Sequence, residues 1–599
     1  MTGNAPHDPF AHLHDEGYAA PYSRLRASAE TLVAMGGRSR VSLNGEWRFV
    51  LDLYDEGLRQ TWFADPPMPI VQWTVPRDYD LDPDSTIAVP SSWTCGRPEW
   101  RYFEGGAWYT RFFTHEPGPG HERLVLRVGA AAYEARVFLN GRFVGSHRGA
   151  STPFCIELTD ALVPGENRLQ IQVDNRRRPE RVPMHHFDWF NDGGLYREVD
   201  LVALPRVFIR HAGVALVPDG SFGRIALNVT LSDPVDGTAT VTIAGLGLSV
   251  PVPIVAGTGR CVVDARPALW SPDNPRLHDV VTTFGNDRVT DRVGFREIRR
   301  DGHEILLNGE PLWLRGVCVH EDDVSVGKVA TEEDLRRRFA DARDLGCTVM
   351  RLAHYPHHER TAEIADETGM LLWAEIPVYW AIDFDNPDTY ADAENQLLEL
   401  IRRDHNRASV VLWGVGNENA DTDARYRFMS GLAETARAAD PTRLVAAACL
   451  INREAFRIED RLAAHLDVIG LNEYFGWYEP GFEGLERLIA NSSPDRPVVI
   501  SETGADAVAG RRGPASELFT EDCQATVLAG QIAAIRDVPW IRGFFPWLLY
   551  DFRSPRRQTA VQRGMNRKGL IAEDKRTRKL AFETVARFYG ERAAAGKAG

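Results

Sequence analysis

The sequence lacks the marks of several protein classes. Its 7 cysteines stand singly, at Cys95, Cys155, Cys261, Cys318, Cys347, Cys449 and Cys523. With no CxxC pair and no His/Cys cluster at zinc spacing, neither a disulfide framework nor a structural zinc site is expected. No apolar run is long enough to span a bilayer. The opening stretch "MTGNAPHDPFAHLHDEGYAAPYSRL" has no basic start followed by an apolar run, so it does not read as a secretory leader. A cytoplasmic protein that engages no membrane is expected. No Gly-rich loop follows a strand-like run, which argues against nucleotide binding. The net charge of −15 argues against a sequence-independent grip on nucleic acid, although it leaves room for a local basic pocket that takes a small anion.

What is present is ordinary globular composition, 44% hydrophobic and 26% charged over 599 residues, enough for several domains. The first third reads as β. Runs such as "RLVLRVGAA" and "NRLQIQVDN" are separated by turn residues, and "LNGRF" (139–143) sets Asn-Gly between apolar runs, a hairpin signal. A second β segment, with "GRIALNVTLSDP", "GTATVTIAG" and "GLSVPVPIVAG", suits a small immunoglobulin-like sandwich. From about residue 310 the period changes. Eight apolar strand-like runs alternate with helical patterns, which predicts a (β/α)8 barrel, with a doubly wound open sheet as the alternative. "TEEDLRRRFADARDLG" shows the pattern: Thr331 caps, Asp334 supports it, Leu335, Phe339, Ala342 and Leu345 form one apolar face, and Gly346 stops the helix.

In a barrel of this kind, reacting groups sit where strands end. Polar and aromatic residues at the predicted ends are His320, Glu321 and Asp322; Arg351 and His354; Glu375; Asn417 and Glu418; Asn472, Glu473 and Tyr474; Glu502; and Trp547 and Asp551. A lone carboxylate there is often only a helix-dipole partner. Several carboxylates, amides and aromatics on one rim, with no metal pattern, instead suit glycoside cleavage, which needs one carboxyl as proton donor and another as nucleophile or base.

These stretches also carry a resemblance. "WGVGNEN" and "ISETGAD" resemble the acid/base and nucleophile motifs of glycoside hydrolase family 2. "LNGEWRF", "VPSSW", "FDWFNDGGLYREV", "GFREI", "LLNGEPLWLRGVCVHED" and "MRLAHYP" are similar to the same family in the same order, across almost the whole chain. The resemblance implies a multidomain chain. A jelly-roll sugar-binding-like domain with an N-terminal extension would occupy residues 1–205, an immunoglobulin-like β-sandwich 206–297, and a catalytic (β/α)8 TIM barrel 298–599. It implies Glu418 as general acid/base and Glu502 as nucleophile of a retaining exo-acting β-glycosidase that works through a covalent glycosyl-enzyme. It further implies that Asn417 binds the sugar 2-hydroxyl, that Tyr474 orients the nucleophile and that His320 contacts substrate. Asn472 joins the substrate-binding set. Arg351, His354 and Glu375 either hold the barrel floor as a buried polar network or touch substrate directly. Trp547 is either an apolar wall for the ring or ordinary barrel packing. Tyr379 and Trp380, in the long segment after the third strand, suit an aromatic wall for the leaving group. No cofactor and no metal are implied. A homo-oligomer is compatible with the family, though no stretch marks an interface.

Within the family the resemblance leans towards sugars bearing a uronic acid. Asn566-x-Lys568 resembles the motif by which the uronidases hold a sugar carboxylate, and an amide beside an ammonium gives charge-assisted hydrogen bonds that a neutral hexose cannot use. Tyr478, in "LNEYFGWY", resembles a neighbour of that carboxylate. Asp188 resembles the residue that reads the outer hydroxyls. The best-known uronidases carry an arginine four residues before the asparagine, where this chain has Gln562. The expected substrate is therefore a small molecule or oligosaccharide with a terminal β-linked hexuronic acid, first a β-glucuronide. A β-galacturonide, dual specificity and a β-galactoside are the alternatives, and an inactive carbohydrate-binding scaffold is the non-enzymatic one.

Overall fold

The computed structural model describes residues 20–64, 85–116, 118 and 120–598. The expected N-terminal extension lies, up to residue 19, outside the described residues. The described residues form two compact units, one from 20–33, 38–64, 85–116, 118, 120–176 and 191–208, the other from 34–37, 177–190 and 209–598.

The first unit is two antiparallel sheets. Six strands pair in the order Thr86–Val89, Gly45–Asp52, Gly106–Thr114, Glu166–Asp174, Glu134–Leu139 and Arg142–Arg148. Four more pair as Val41–Ser42, Val199–Leu204, Arg123–Val128 and Phe154–Glu157. Their inner faces share one core, with Trp47, Tyr109, Val137 and Ile171 from the larger sheet and Leu126, Val128, Phe154 and Val199 from the smaller. The hairpin predicted at Asn140-Gly141 is there. Both residues adopt positive φ, 52° and 80°, the backbone that a tight two-residue turn demands.

In the second unit, a three-stranded sheet (Ile209–Leu216, Arg224–Leu231, Thr258–Asp264) and a four-stranded one (Leu248–Ile254, Gly237–Ile243, His278–Phe284, Asp287–Val293) make the sandwich. Strict alternation explains it: Ile225, Leu227, Val229 and Leu231 are buried while the residues between them are not.

The barrel follows. Its strands are β1 (Leu314–Val319), β2 (Val349–Leu352), β3 (Leu371–Glu375), β4 (Val410–Asn417), β5 (Leu444–Cys449), β6 (Val468–Asn472), β7 (Val498–Thr503) and β8 (Ile541–Pro546). All pairs are parallel, and β8 closes on β1 through Leu314 opposite Gly543. Closure removes the open-sheet alternative. The helices are α1 (Glu332–Asp344), α2 (Glu359–Thr368), α3 (Pro387–Asp404), α4 (Asp423–Ala439), α5 (Glu483–Asn491), α6 (Glu521–Ile535) and α7 (Leu580–Ala598). Thr331 caps α1 through the reciprocal Thr331–Asp334 bonds expected from sequence, a motif that stabilises a helix start by about 1 kcal/mol. The regular alternation of strand and helix fails once. Between β5 and β6 there is only a single 3-10 turn, Arg461–His465.

Between β8 and α7 the chain makes a long excursion over the strand ends. Phe552–Arg553 pairs with Met565–Asn566 as a short antiparallel hairpin. Gly569 then passes so close to the backbone of Asp551 that a Cβ would lie 2.2 Å from its nitrogen. Only glycine permits this approach, and the approach fixes where Asn566 and Lys568 stand.

Candidate active site

The site is best built from Arg351, which leaves β2 fully buried. Its guanidinium donates to both oxygens of Glu375, at 2.9 and 3.0 Å. It also donates to Glu502 Oε1 at 2.8 Å and to Asn417 Oδ1 at 2.7 Å. Burial alone would depress the guanidinium, but Glu375 and Glu502 outweigh it and keep it charged. His354 Nδ1 lies 2.8 Å from Glu375. Burial, with Arg351 beside it, pushes this imidazole well below its usual range. One arginine thus ties β2, β3, β4 and β7 together, and Asn417 joins through it.

Glu502 accepts from Tyr474 as well, at 2.9 Å on Oε2. Burial pushes its carboxyl up to about 8; Arg351 opposes the rise, and the neighbouring Glu418 adds to it. Burial and Glu502 raise the Tyr474 phenol, so it stays a donor. Glu418 accepts from Trp380 Nε1 at 2.7 Å and from Asn472 Nδ2 at 3.1 Å. Its backbone is left-handed, φ 52°, which costs a non-glycine residue about 1–2 kcal/mol. The Glu418 N–H bond to the carbonyl of Ala448, 2.8 Å, helps to hold that turn. Asn472 also donates to Asn417 at 3.1 Å and accepts from Ser501 at 2.7 Å. With its Oδ1 doubly used, Asn417 keeps a buried Nδ2 without a partner among the described residues.

Trp547 stacks on His354, with ring centroids 4.9 Å apart. His320 meets Trp547 edge-on and stacks on Phe552 at 4.2 Å. Its Nδ1 lies 3.1 Å from Tyr355, and its Nε2 is buried without a partner among the described residues. The expected aromatic wall of Tyr379 and Trp380 is stacked at 4.5 Å, but Tyr379 is buried, and Trp380 also bonds a carboxylate.

The second cluster gathers around Tyr478. Its hydroxyl accepts from Lys568 Nζ and Arg557 Nη1, both at 2.9 Å. Burial raises this phenol, but the two cations outweigh it and bring it below its usual value. Lys568 also donates to Asp506 at 2.7 Å, with both side chains 1% exposed. Burial opposes the charge on Lys568, and Asp506 more than restores it. Asn566 Oδ1 takes the Lys568 backbone N–H at 3.1 Å. An ammonium has three donors, so one remains. Asp188 accepts from Arg557 and from Ser554. Lys568 Nζ lies 5.8 Å from the Tyr474 ring, whose hydroxyl is on Glu502.

Every residue expected at the site therefore falls in one of two linked clusters. Four of the polar strand-end carboxylates stand outside both: Asp322 accepts from Arg553 at 2.6 Å, and the other three are engaged elsewhere. Glu321 receives the His358 N–H at the start of α2. Asp551 is bound to Lys579 at 2.7 Å. Glu473 faces α6 and accepts from Gln531 at 2.9 Å. Arg557 and Asp506 were not expected. Asp506 lies inside a quoted motif, and Arg557 in the basic stretch after β8, but nothing in their spacing marks a partner.

Burial pushes the Glu473 carboxyl up to about 7. The unfolded chain ionises this group near 4.5, so its contribution to stability is complete below that pH and is lost as pH rises through about 7. Glu473→Gln should flatten the fall in the unfolding free energy from urea melts between pH 5 and pH 8, by up to ~3 kcal/mol. An unchanged slope would remove Glu473 as a source.

Two carboxyl groups among amides and aromatics on the C-terminal rim of a closed barrel are the equipment of glycosidic-bond cleavage, and the class they define is the glycoside hydrolases. Comparison with protein families is specific. Residues 41–205 match the sugar binding domain of glycosyl hydrolases family 2, residues 216–296 match the model "Glycosyl hydrolases family 2", and residues 297–591 match the family's TIM barrel domain. The chain belongs to glycosyl hydrolases family 2 and is a glycoside hydrolase. It is 27% identical to a beta-glucuronidase of Paenibacillus borealis, over 92% of this chain and 96% of the relative. Among solved structures, a family 2 beta-galacturonidase from Eisenbergiella tayi bound to galacturonate matches with a TM-score of 0.80 and 26% identity, over 94% of this chain and 99% of the other. A beta-glucuronidase from an uncultured Clostridium gives the same four values. Among the described residues, no helix is long and apolar enough to cross a membrane.

Proposed function

We propose that the protein is a retaining exo-acting β-hexuronidase that hydrolyses terminal β-linked uronides, β-glucuronides first, through a covalent glycosyl-enzyme. The observation that carries the uronide reading is Lys568. It is a buried ammonium held charged by Asp506, with one donor to spare, one tyrosine ring away from Glu502. Glucuronidases and galacturonidases among the similar proteins support the same reading.

Glu502 is the nucleophile in this reading, and Glu418 the acid and then the base. Tyr474 and Arg351 fix the attacking oxygens, while Trp380 and Asn472 fix the donor. Burial and the neighbouring Glu418 oppose ionisation of Glu502, while Arg351 and Tyr474 favour it. The reaction needs Glu502 ionised, which its two donors favour, and a proton on Glu418 to give to the glycosidic oxygen. The negative surroundings also favour the positive charge that develops on the sugar ring. The free Nδ2 of Asn417 serves the 2-hydroxyl, and His320 Nε2 and Trp547 line the ring. Arg351, His354 and Glu375 act as the supporting network rather than as direct contacts. The Asn566 amide and the third Lys568 donor take the carboxylate, with Tyr478 beside them.

A galacturonide is the second reading, and one observation favours it. Gln562 turns inward to Asp506 at 3.1 Å, while Arg557 reaches Asp188 from the same loop. The outer hydroxyls would thus be read by a different pair of groups. We place the domain divisions at 205/206 and 297/298, close to the bounds of the family matches, with both reacting carboxylates in the last domain.

A panel of aryl β-glucuronide, β-galacturonide, β-galactoside and β-glucoside tests the reading. At least one uronide should exceed both neutral glycosides in kcat/KM by about 100-fold or more, the scale of one charge-assisted clamp. Preference for a neutral hexoside would overturn it.

A further inference from the structure

The proton-donor side of the site holds positive charge that the hydrolysis just described does not use. Trp380 bonds Glu418 through its indole N–H, and the Arg556 guanidinium covers the same ring, 4.4 Å from its centroid. His186 lies 6.2 Å from that ring, and His185 lies 4.6 Å from His186. Arg556, His185 and His186 are all exposed. Arg557, the next residue, is engaged by Asp188 and Tyr478. Arg556 has no hydrogen bond or ion pair among the described residues, only the indole face beneath it. His186 is pushed below its usual value by burial, then by His185 and Arg556, and no carboxylate offsets them. The guanidinium is therefore held in place but not neutralised.

Its position relative to Glu418 decides what it meets. An acid that protonates the glycosidic oxygen has the leaving group on its own side, while the sugar being cleaved lies towards Glu502, Tyr474 and Lys568. We propose that Arg556, over Trp380 and beside His186, forms an anion-accepting subsite for the leaving group, so that the preferred substrate carries a carboxylate or sulfate on the residue released. This rests on the β-hexuronidase reading with Glu418 as proton donor. A planar guanidinium pinned on an aromatic face offers its edge N–H groups to either oxyanion, and it loses little rotamer freedom on binding.

The test compares kcat/KM for three disaccharides with the same terminal uronic acid. The leaving sugar is a neutral hexose, a second uronic acid or a sulfated hexose, and each is assayed with the parent and with Arg556→Ala. At low salt the parent should favour one or both anionic leaving groups by about 10-fold, the value of one partly exposed charged hydrogen bond. That ratio should fall to about 2-fold in Arg556→Ala, recover in part in Arg556→Lys and shrink with added salt. The two anionic arms tell a carboxylate from a sulfate. A parent ratio near 1, or a ratio unchanged in Arg556→Ala, overturns the subsite and leaves the uronide reading standing. Failure to cleave any of the three, or their aryl counterparts, overturns the uronide reading and the subsite with it.

Discussion

Glu502→Gln should lower kcat on an aryl β-uronide by at least about 10⁴-fold, ~5.5 kcal/mol of barrier, while leaving the fold intact. An amide cannot attack the anomeric carbon or leave it as a carboxylate does, so the covalent route closes. The surroundings explain why the protein should tolerate the change. Arg351 keeps both bonds to Glu375, so its charge stays compensated. The new carbonyl can face Arg351, which only donates, and the new amide nitrogen can face Tyr474, whose hydroxyl can turn to accept. The Tyr474 O–H loses Glu502 as its acceptor in that arrangement, but Tyr474 is only half-buried, so the freed hydrogen can turn to solvent. The readout is turnover beside the thermal unfolding midpoint. Hydrolysis within about 10-fold of the parent, at an unchanged midpoint, would sink the nucleophile assignment.

How far such a site can be read in advance depends on what fixes each side chain. The barrel itself was legible because buried parallel strands must be apolar and their helices amphipathic. The inward residues at its mouth follow from the same rule, since Asn472 and Tyr474 share a face. That rule also turns Glu473 away from the site, and alternation along β6 predicts its outward direction where a mere collection of polar strand ends did not. The fifth connection, residues 450–467, was misjudged because it has the length and apolar content of a helical connection, yet folds only as the Asp460-capped 3-10 turn Arg461–His465. The charge partners were illegible for another reason. Asp188 and Arg557 are 369 positions apart, and they meet because residues 177–190 compact with the barrel and the segment after β8 folds back over it. Neither segment has a periodicity from which a contact could be inferred. Trp380 belongs with them. It was expected as a wall, and its bond to Glu418 depends on left-handed backbone at both residues, φ 53° and 52°, which no pattern in the sequence announces.

Lys568 is where the substrate reading is most exposed to test. Lys568→Met should cut kcat/KM on a uronide by roughly 10³-fold and change a neutral hexoside far less, for two separable reasons. The substrate carboxylate loses a charge-assisted bond of about 1.5–3 kcal/mol. It also meets Asp506, which the ammonium now masks at 2.7 Å and whose charge burial opposes once that partner is gone. Removing one partner of a buried ion pair costs about 3–5 kcal/mol, so the single variant alone confuses lost binding with lost stability. Lys568→Met with Asp506→Asn separates them. The amide keeps its bonds to Gln562 and to the Arg567 N–H, and no charge is stranded. The double variant should regain stability and about 10-fold of the uronide activity, because the repulsion is gone, yet remain about 100-fold below the parent, because the clamp is gone. Equal losses on the uronide and on the matched hexoside in the double variant would show that Lys568 only braces the loop after β8, and the carboxylate reading would then have to rest on Asn566 and Tyr478 alone.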